Sequence, residues 1–157
     1  MKQDRPLHDD REIAALVEQF ENCTWPYERW NHRAHLAVGL FYARTLSYDI
    51  ALNRLREHIQ RYNRTCGDPA GYHETLTVLF LRRIYACREL VAGREPLHAS
   101  VDVLTRQFPL AWTYQYYSRE RLWSDAARAS WLEPDLRPLD FASPPDDHAS
   151  CCGTGSS

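Results

Sequence analysis

Apolar residues return every three or four positions in one block of the chain after another, and each block is bounded by residues that start or stop helices. Ile13, Leu16, Val17 and Phe20 share one face of a helix over Arg11 to Cys23, with Asp9 and Asp10 as its acidic start. Leu36, Leu40 and Ala43 form a second stripe, His35, Val38 and Tyr42 lie on the adjoining one, and Asn31 caps this helix, which runs from His32 to about Leu46. Ser47 caps a third helix, Tyr48 to about Arg64, which packs through Ala51, Leu52, Leu55, Ile59 and Tyr62. Cys66-Gly67 ends it, with the glycine expected in the left-handed conformation common just past a helix end. A fourth helix starts near Asp68-Pro69 or, delayed by Gly71, at Tyr72, and runs to Leu90. Val101 and Leu104 mark a shorter fifth helix closed by Pro109, while Ser118 and Ser124 can cap two further segments. The run from Ala111 to Tyr117 alternates like a strand but has no partner strand, so a helical or irregular wall is expected.

The spacing therefore predicts an all-α fold: a single-domain helical bundle of five to seven helices over 8–141. A disordered tail is expected over 142–157, because Ser, Pro, Asp and Gly dominate there and little can be buried. A chain of 157 residues is long enough to bury a substantial core. A formal net charge of -2 supplies no field to attract nucleic acid or an anionic membrane, so neither is an expected partner. The start, Met1 to Arg5, lacks the apolar core of a signal peptide, and no apolar run reaches the ~18 residues of a membrane span, which predicts a cytoplasmic protein. Five cysteines, an odd count without an export signal, are expected to be reduced thiols, and no function is assigned to Cys151 or Cys152.

Metal-capable groups concentrate in two places. Trp30 to Leu36 (WNHRAHL) puts His32 and His35 three residues apart at a helix start, about 60 degrees apart around the axis, so both imidazoles can reach one ion. Gly71 to Thr77 (GYHETLT) adds His73 and Glu74. Zinc, iron and copper all accept imidazole nitrogen, and three protein ligands with an open position suit a catalytic metal. The expected site is a divalent transition metal held by His32, His35 and His73, with Glu74 as general base or orienter of a ligand. Adjacent helical residues diverge by about 100 degrees, so His73 and Glu74 can both ligate only if the start of the fourth helix is distorted. The competing reading makes the histidines helix caps and buried hydrogen-bond partners.

A second polar cluster, Tyr116, Tyr117 and Ser118 with Arg128, can bind a carboxylate or phosphate of a small substrate. Its alternative is that the tyrosine rings pack while Arg128 pairs with Asp125 or Glu133. No Walker loop, dinucleotide-binding glycine fingerprint, nucleophile elbow or paired CxxC occurs.

WNHRAHL, GYHETLT, Tyr117-Ser118, Leu122, Ser124, Ala127-Arg128 and Glu133-Pro134-Asp135 with Pro138-Leu139 appear in an order that resembles an uncharacterised family of small bacterial helical proteins. The likeness covers about residues 12–140 and implies a single helical domain without implying a reaction. It also implies that Tyr117, Ser118, Arg128 and Asp135 belong to the site or its frame. The combined expectation is metal-dependent chemistry on a small molecule, hydrolytic or oxidative, in a pocket walled by some of Trp25, Trp30, Trp112 and Tyr117, with Trp30, Tyr117, Ser118 and Arg128 as substrate contacts. The alternative is a small-ligand-binding or structural helical protein.

Overall fold

A computed structural model of the chain describes residues 2–145. The fold is all-helical, with no strand among the described residues. Five helices of at least 11 residues form its body: α1 (Asp10–Glu21), α2 (His32–Thr45), α3 (Tyr48–Thr65), α4 (Glu74–Ala86) and, after the short α5 (Arg88–Ala92), α6 (Leu97–Gln107). Two short helices, α7 (Arg119–Leu122) and α8 (Asp125–Ala129), follow a 3₁₀ stretch at Leu110–Gln115. No helix among the described residues is long and apolar enough to cross a membrane. Of the expected tail 142–157, residues 146–157, which include Cys151 and Cys152, lie outside the described residues.

The caps follow the side-chain chemistry of the sequence. Asp9, Asn31, Ser118 and Ser124 each accept a hydrogen bond from a backbone N–H of the helix they precede, which satisfies one of the four donors left free there. Ser47 stands before α3 without a side-chain capping bond. Pro109 follows the end of α6, and the alternating run beyond it winds as 3₁₀ helix.

α2 is the central element and packs against α1, α3, α4, α5 and α6. It is apolar over most of its circumference, with Leu36, Ala37, Val38, Gly39, Leu40 and Tyr42 all buried, as a helix surrounded by others must be. Gly39 sits where α4 crosses: a Cβ there would lie 2.8 Å from the Ile84 side chain, so glycine permits the close approach.

Three local expectations change. The fourth helix begins at Glu74, later than Asp68 or Tyr72, because Asp68 to Gly71 forms a turn of its own: Gly71 N–H donates to the Asp68 carbonyl at 2.9 Å and Ala70 N–H to its carboxylate at 2.9 Å. At its far end the helix breaks at Cys87, short of Leu90, where ψ turns to 67°. Gly67 does not take the left-handed conformation; its lack of a side chain matters because a Cβ would press against the Tyr27 ring at 3.1 Å and Asn63 at 3.3 Å.

Left-handed residues occur instead at Gly93, just past α5, and at the end of α1. Thr24 N–H donates to the Gln19 carbonyl at 2.8 Å and Cys23 N–H to that of Phe20 at 3.2 Å, the bond pair of a Schellman turn. Cys23 takes φ 62° at the position such turns usually give to glycine. A Cβ in this conformation costs about 1–2 kcal/mol. Cys23→Gly is therefore expected to stabilise the protein by about 0.5–1 kcal/mol, after allowance for the greater freedom of glycine when unfolded. A urea melt measures this, and an unchanged or lowered midpoint would refute it.

Candidate functional site

The starts of α2 and α4 flank a cavity of about 490 Å³, within the size range of small-molecule sites. Its wall is formed by Leu36 and Gly39 from α2, Leu55 and Ile59 from α3, and Leu76, Phe80, Leu81 and Ile84 from α4. The polar lining includes His32, His35, Asn63, Asp68, Tyr72 and His73, and Lys2 and Tyr27 also border the cavity.

Asn31 organises the first histidine pair. Its side-chain oxygen caps α2 by accepting from Ala34 N–H at 2.9 Å, its amide donates to the Gln3 carbonyl at 2.6 Å, and its own carbonyl accepts from His35 Nδ1 at 2.7 Å. A carbonyl can only accept, so the proton of a neutral His35 ring sits on Nδ1 and Nε2 carries the lone pair. Nε2 has no hydrogen-bond partner among the described residues. Trp30 packs tilted against the imidazole with ring centroids 3.9 Å apart and is itself stacked on Phe20 at 4.5 Å. Burial pushes the His35 pKa down to about 4, which overrides the opposing effect of the Asn31 hydrogen bond and keeps the ring neutral near pH 7.

His32 is held by a backbone carbonyl as well. Its Nε2 donates to the Phe108 carbonyl at 2.8 Å, its ring meets Phe80 edge-on at 4.7 Å, and burial lowers its pKa, so the lone pair falls on Nδ1. His73 differs. It is the N-cap of α4, where Nδ1 accepts from Leu76 N–H at 3.2 Å while Nε2 donates to the Leu122 carbonyl at 2.7 Å. Both ring nitrogens are occupied, and burial lowers the pKa. A metal could coordinate His73 only by displacing one of these bonds.

Glu74 does not line the cavity. Its carboxylate takes two hydrogen bonds from the Arg56 guanidinium, one from Nε at 2.8 Å, and a third from the Tyr72 hydroxyl. Tyr72 faces the cavity, and its phenol is pushed up by burial and by the Glu74 bond. Glu74 thus orients Tyr72 and neutralises Arg56. Among the described residues, no three His, Cys, Asp or Glu side chains are grouped as a metal site.

Compared with known proteins, the chain matches no family model, no curated protein and no solved structure.

The second cluster lies behind α4, outside the cavity wall. Tyr117 is fully buried and its hydroxyl donates to the Leu132 carbonyl at 2.6 Å. Ser118 caps α7 and is tied through N–H and hydroxyl to the Asp135 carboxylate at 2.8 and 2.6 Å. The Arg128 guanidinium lies over Trp123, 5.6 Å from the ring centroid, and makes no ion pair with Asp125 or Glu133 among the described residues. Trp30 lines the cavity, whereas Trp25, Trp112 and Tyr117 do not. The C-terminal segment instead anchors the start of α4: Thr75 is fully buried, its hydroxyl directed to the carbonyls of Ala127 at 2.7 Å and Ser130 at 2.9 Å, beside the His73 bond to Leu122. Asn31 as the positioner of His35 and Tyr72 as a wall residue were not singled out by sequence; Asn31 was visible only as a cap.

Proposed function

We propose that the protein binds a small, largely apolar molecule in the cavity between α2, α3 and α4, and that the ligand donates a hydrogen bond to His35. The observation that carries this reading is the unpartnered Nε2 of a neutral, oriented histidine beside a wall that is otherwise mainly hydrocarbon and aromatic. An acceptor so placed selects a hydroxyl, amide N–H or protonated acid, because an analogue without a donor leaves Nε2 unsatisfied. The apolar wall contributes most of the affinity and the histidine contributes selectivity.

Ligand-observed NMR with a panel of small phenols, indoles and aryl amides, alongside analogues without the donor, tests it. Donor compounds are expected to bind, His35→Leu to weaken them by about tenfold, the value of one hydrogen bond of ~1.4 kcal/mol, and Leu76→Trp, which fills the cavity, to abolish binding. Absence of any binding, or equal binding to Leu76→Trp, would overturn it.

A second reading, in which the pocket holds a divalent zinc, iron or copper ion for hydrolytic or oxidative chemistry on the ligand, draws on one further observation. His32 Nδ1 and His35 Nε2, one turn apart on α2, both lack a hydrogen-bond partner among the described residues. Its test is calorimetric titration with zinc: it requires binding that His32→Ala and His35→Ala each remove, and no heat above that of the double variant would sink it.

A further inference from the structure

We infer that Cys23 and Cys66 form a redox pair, a site of disulfide formation that staples the ends of α1 and α3 at one rim of the cavity. The two residues are 43 positions apart in sequence, yet the Cys66 thiol donates to the Cys23 carbonyl at 2.9 Å. Cys23 and Cys66 are each partly exposed, so a small oxidant reaches both. Burial pushes the Cys66 thiol up, and the neighbouring Cys23 thiol pushes it further.

Cys23 occupies a position where its side chain is not otherwise favoured. The left-handed residue of the α1 Schellman turn is usually glycine, and a cysteine there carries a conformational cost that places its thiol beside Cys66. The two partners belong to the two chain segments bordering the cavity on this side. Beyond Cys23 the chain runs through Tyr27 to Trp30, and beyond Cys66 it runs through Asp68 to Tyr72; Tyr27, Trp30, Asp68 and Tyr72 all line the cavity. The Tyr27 ring lies so near Gly67 that a Cβ there would come within 3.1 Å of it. A covalent bond between 23 and 66 holds these segments in register and restricts opening of the rim.

The chemistry takes a peroxide as oxidant. The Cys23 thiolate attacks one peroxide oxygen, the O–O bond breaks, and hydroxide leaves as water after taking a proton, which yields a sulfenic acid. The Cys66 sulfur then attacks the Cys23 sulfur, its S–O bond breaks, and a second water leaves with the Cys66 proton. Two thiols and one hydrogen peroxide become one disulfide and two waters. A dithiol reductant reverses it.

The full-length protein carrying Cys87→Ser, Cys151→Ser and Cys152→Ser leaves only this pair. Treated with hydrogen peroxide and then alkylated, it is expected to lose both free thiols as a monomer, with a mass lower by two hydrogens and a peptide linking 23 to 66. Its Tm is expected to rise by about 5–10 °C and to return with dithiothreitol, a shift typical of a disulfide closing a long loop. Cys23→Ser and Cys66→Ser, each added singly, are expected to abolish the link and the shift. Sulfinic or sulfonic acids without a link, or only intermolecular dimers, would overturn the inference. The readout needs no ligand, so it stands apart from the proposal for the cavity.

Discussion

Replacement of His73 by alanine is expected to destabilise the fold by about 2–4 kcal/mol. Loss of the Nδ1 acceptor leaves Leu76 N–H without its cap, which costs ~1 kcal/mol, and loss of the Nε2 donor leaves a buried Leu122 carbonyl unpaired, which costs roughly another 1–3 kcal/mol. The ring also meets Trp123 edge-on at 5.5 Å, a contact that alanine removes. His73→Asn separates the two contributions. Asparagine is a good cap but too short to reach Leu122, so it is expected to recover ~1 kcal/mol. Equilibrium urea unfolding monitored by tryptophan fluorescence checks both values. A His73→Ala variant as stable as the parent would mean that the link from α4 to α7 does not carry the stability assigned to it.

Stability should also fall on mild acidification, before ordinary carboxylates titrate. Unfolded, His35 protonates with a pKa of about 6.5; folded, burial holds it at about 4. Between these values the unfolded chain binds the proton and the folded chain does not, so acid favours unfolding. The contribution is fully present above about pH 6.5 and is lost progressively toward about pH 4, to a total of ~3 kcal/mol. His32 and His73 are lowered by burial as well and act in the same direction. Asp135, held down by its hydrogen bonds from Ser118, and Asp140, held down by the Tyr116 hydroxyl, lose their contributions as pH falls through the usual carboxylate range and below it. The two windows are therefore separable. Urea midpoints measured across about pH 7.5 to 4.5 should decline steadily in the parent and decline less in His35→Leu. Superimposable pH profiles for the two would rule out His35 as a source of the acid sensitivity.

Periodicity and caps made most of the helical body legible in the chain. The apolar faces of α1 to α4 follow from side-chain spacing, and Asp9, Asn31, Ser118 and Ser124 act as the caps that their short polar side chains suit them to be. The start of α4 is less legible, because histidine is an uncommon cap and its capping depends on a carbonyl 49 residues away that fixes the ring. The site was legible in part for a related reason. WNHRAHL and GYHETLT do border one cavity, yet residue type alone does not distinguish a ring nitrogen with an open lone pair from one already bonded.

What the sequence by itself determined is local: where helices run, which faces are apolar, and that His32 and His35 share one turn. Tertiary structure decided the rest, through contacts with partners remote in the chain. The Phe108 carbonyl sets the tautomer of His32, the Leu122 carbonyl commits His73 to holding α4, and Arg56 commits Glu74 to a half-buried ion pair. His35 alone is oriented from within its own turn, by Asn31, and its Nε2 stays open because the packing of α3 and α4 leaves a cavity beside it.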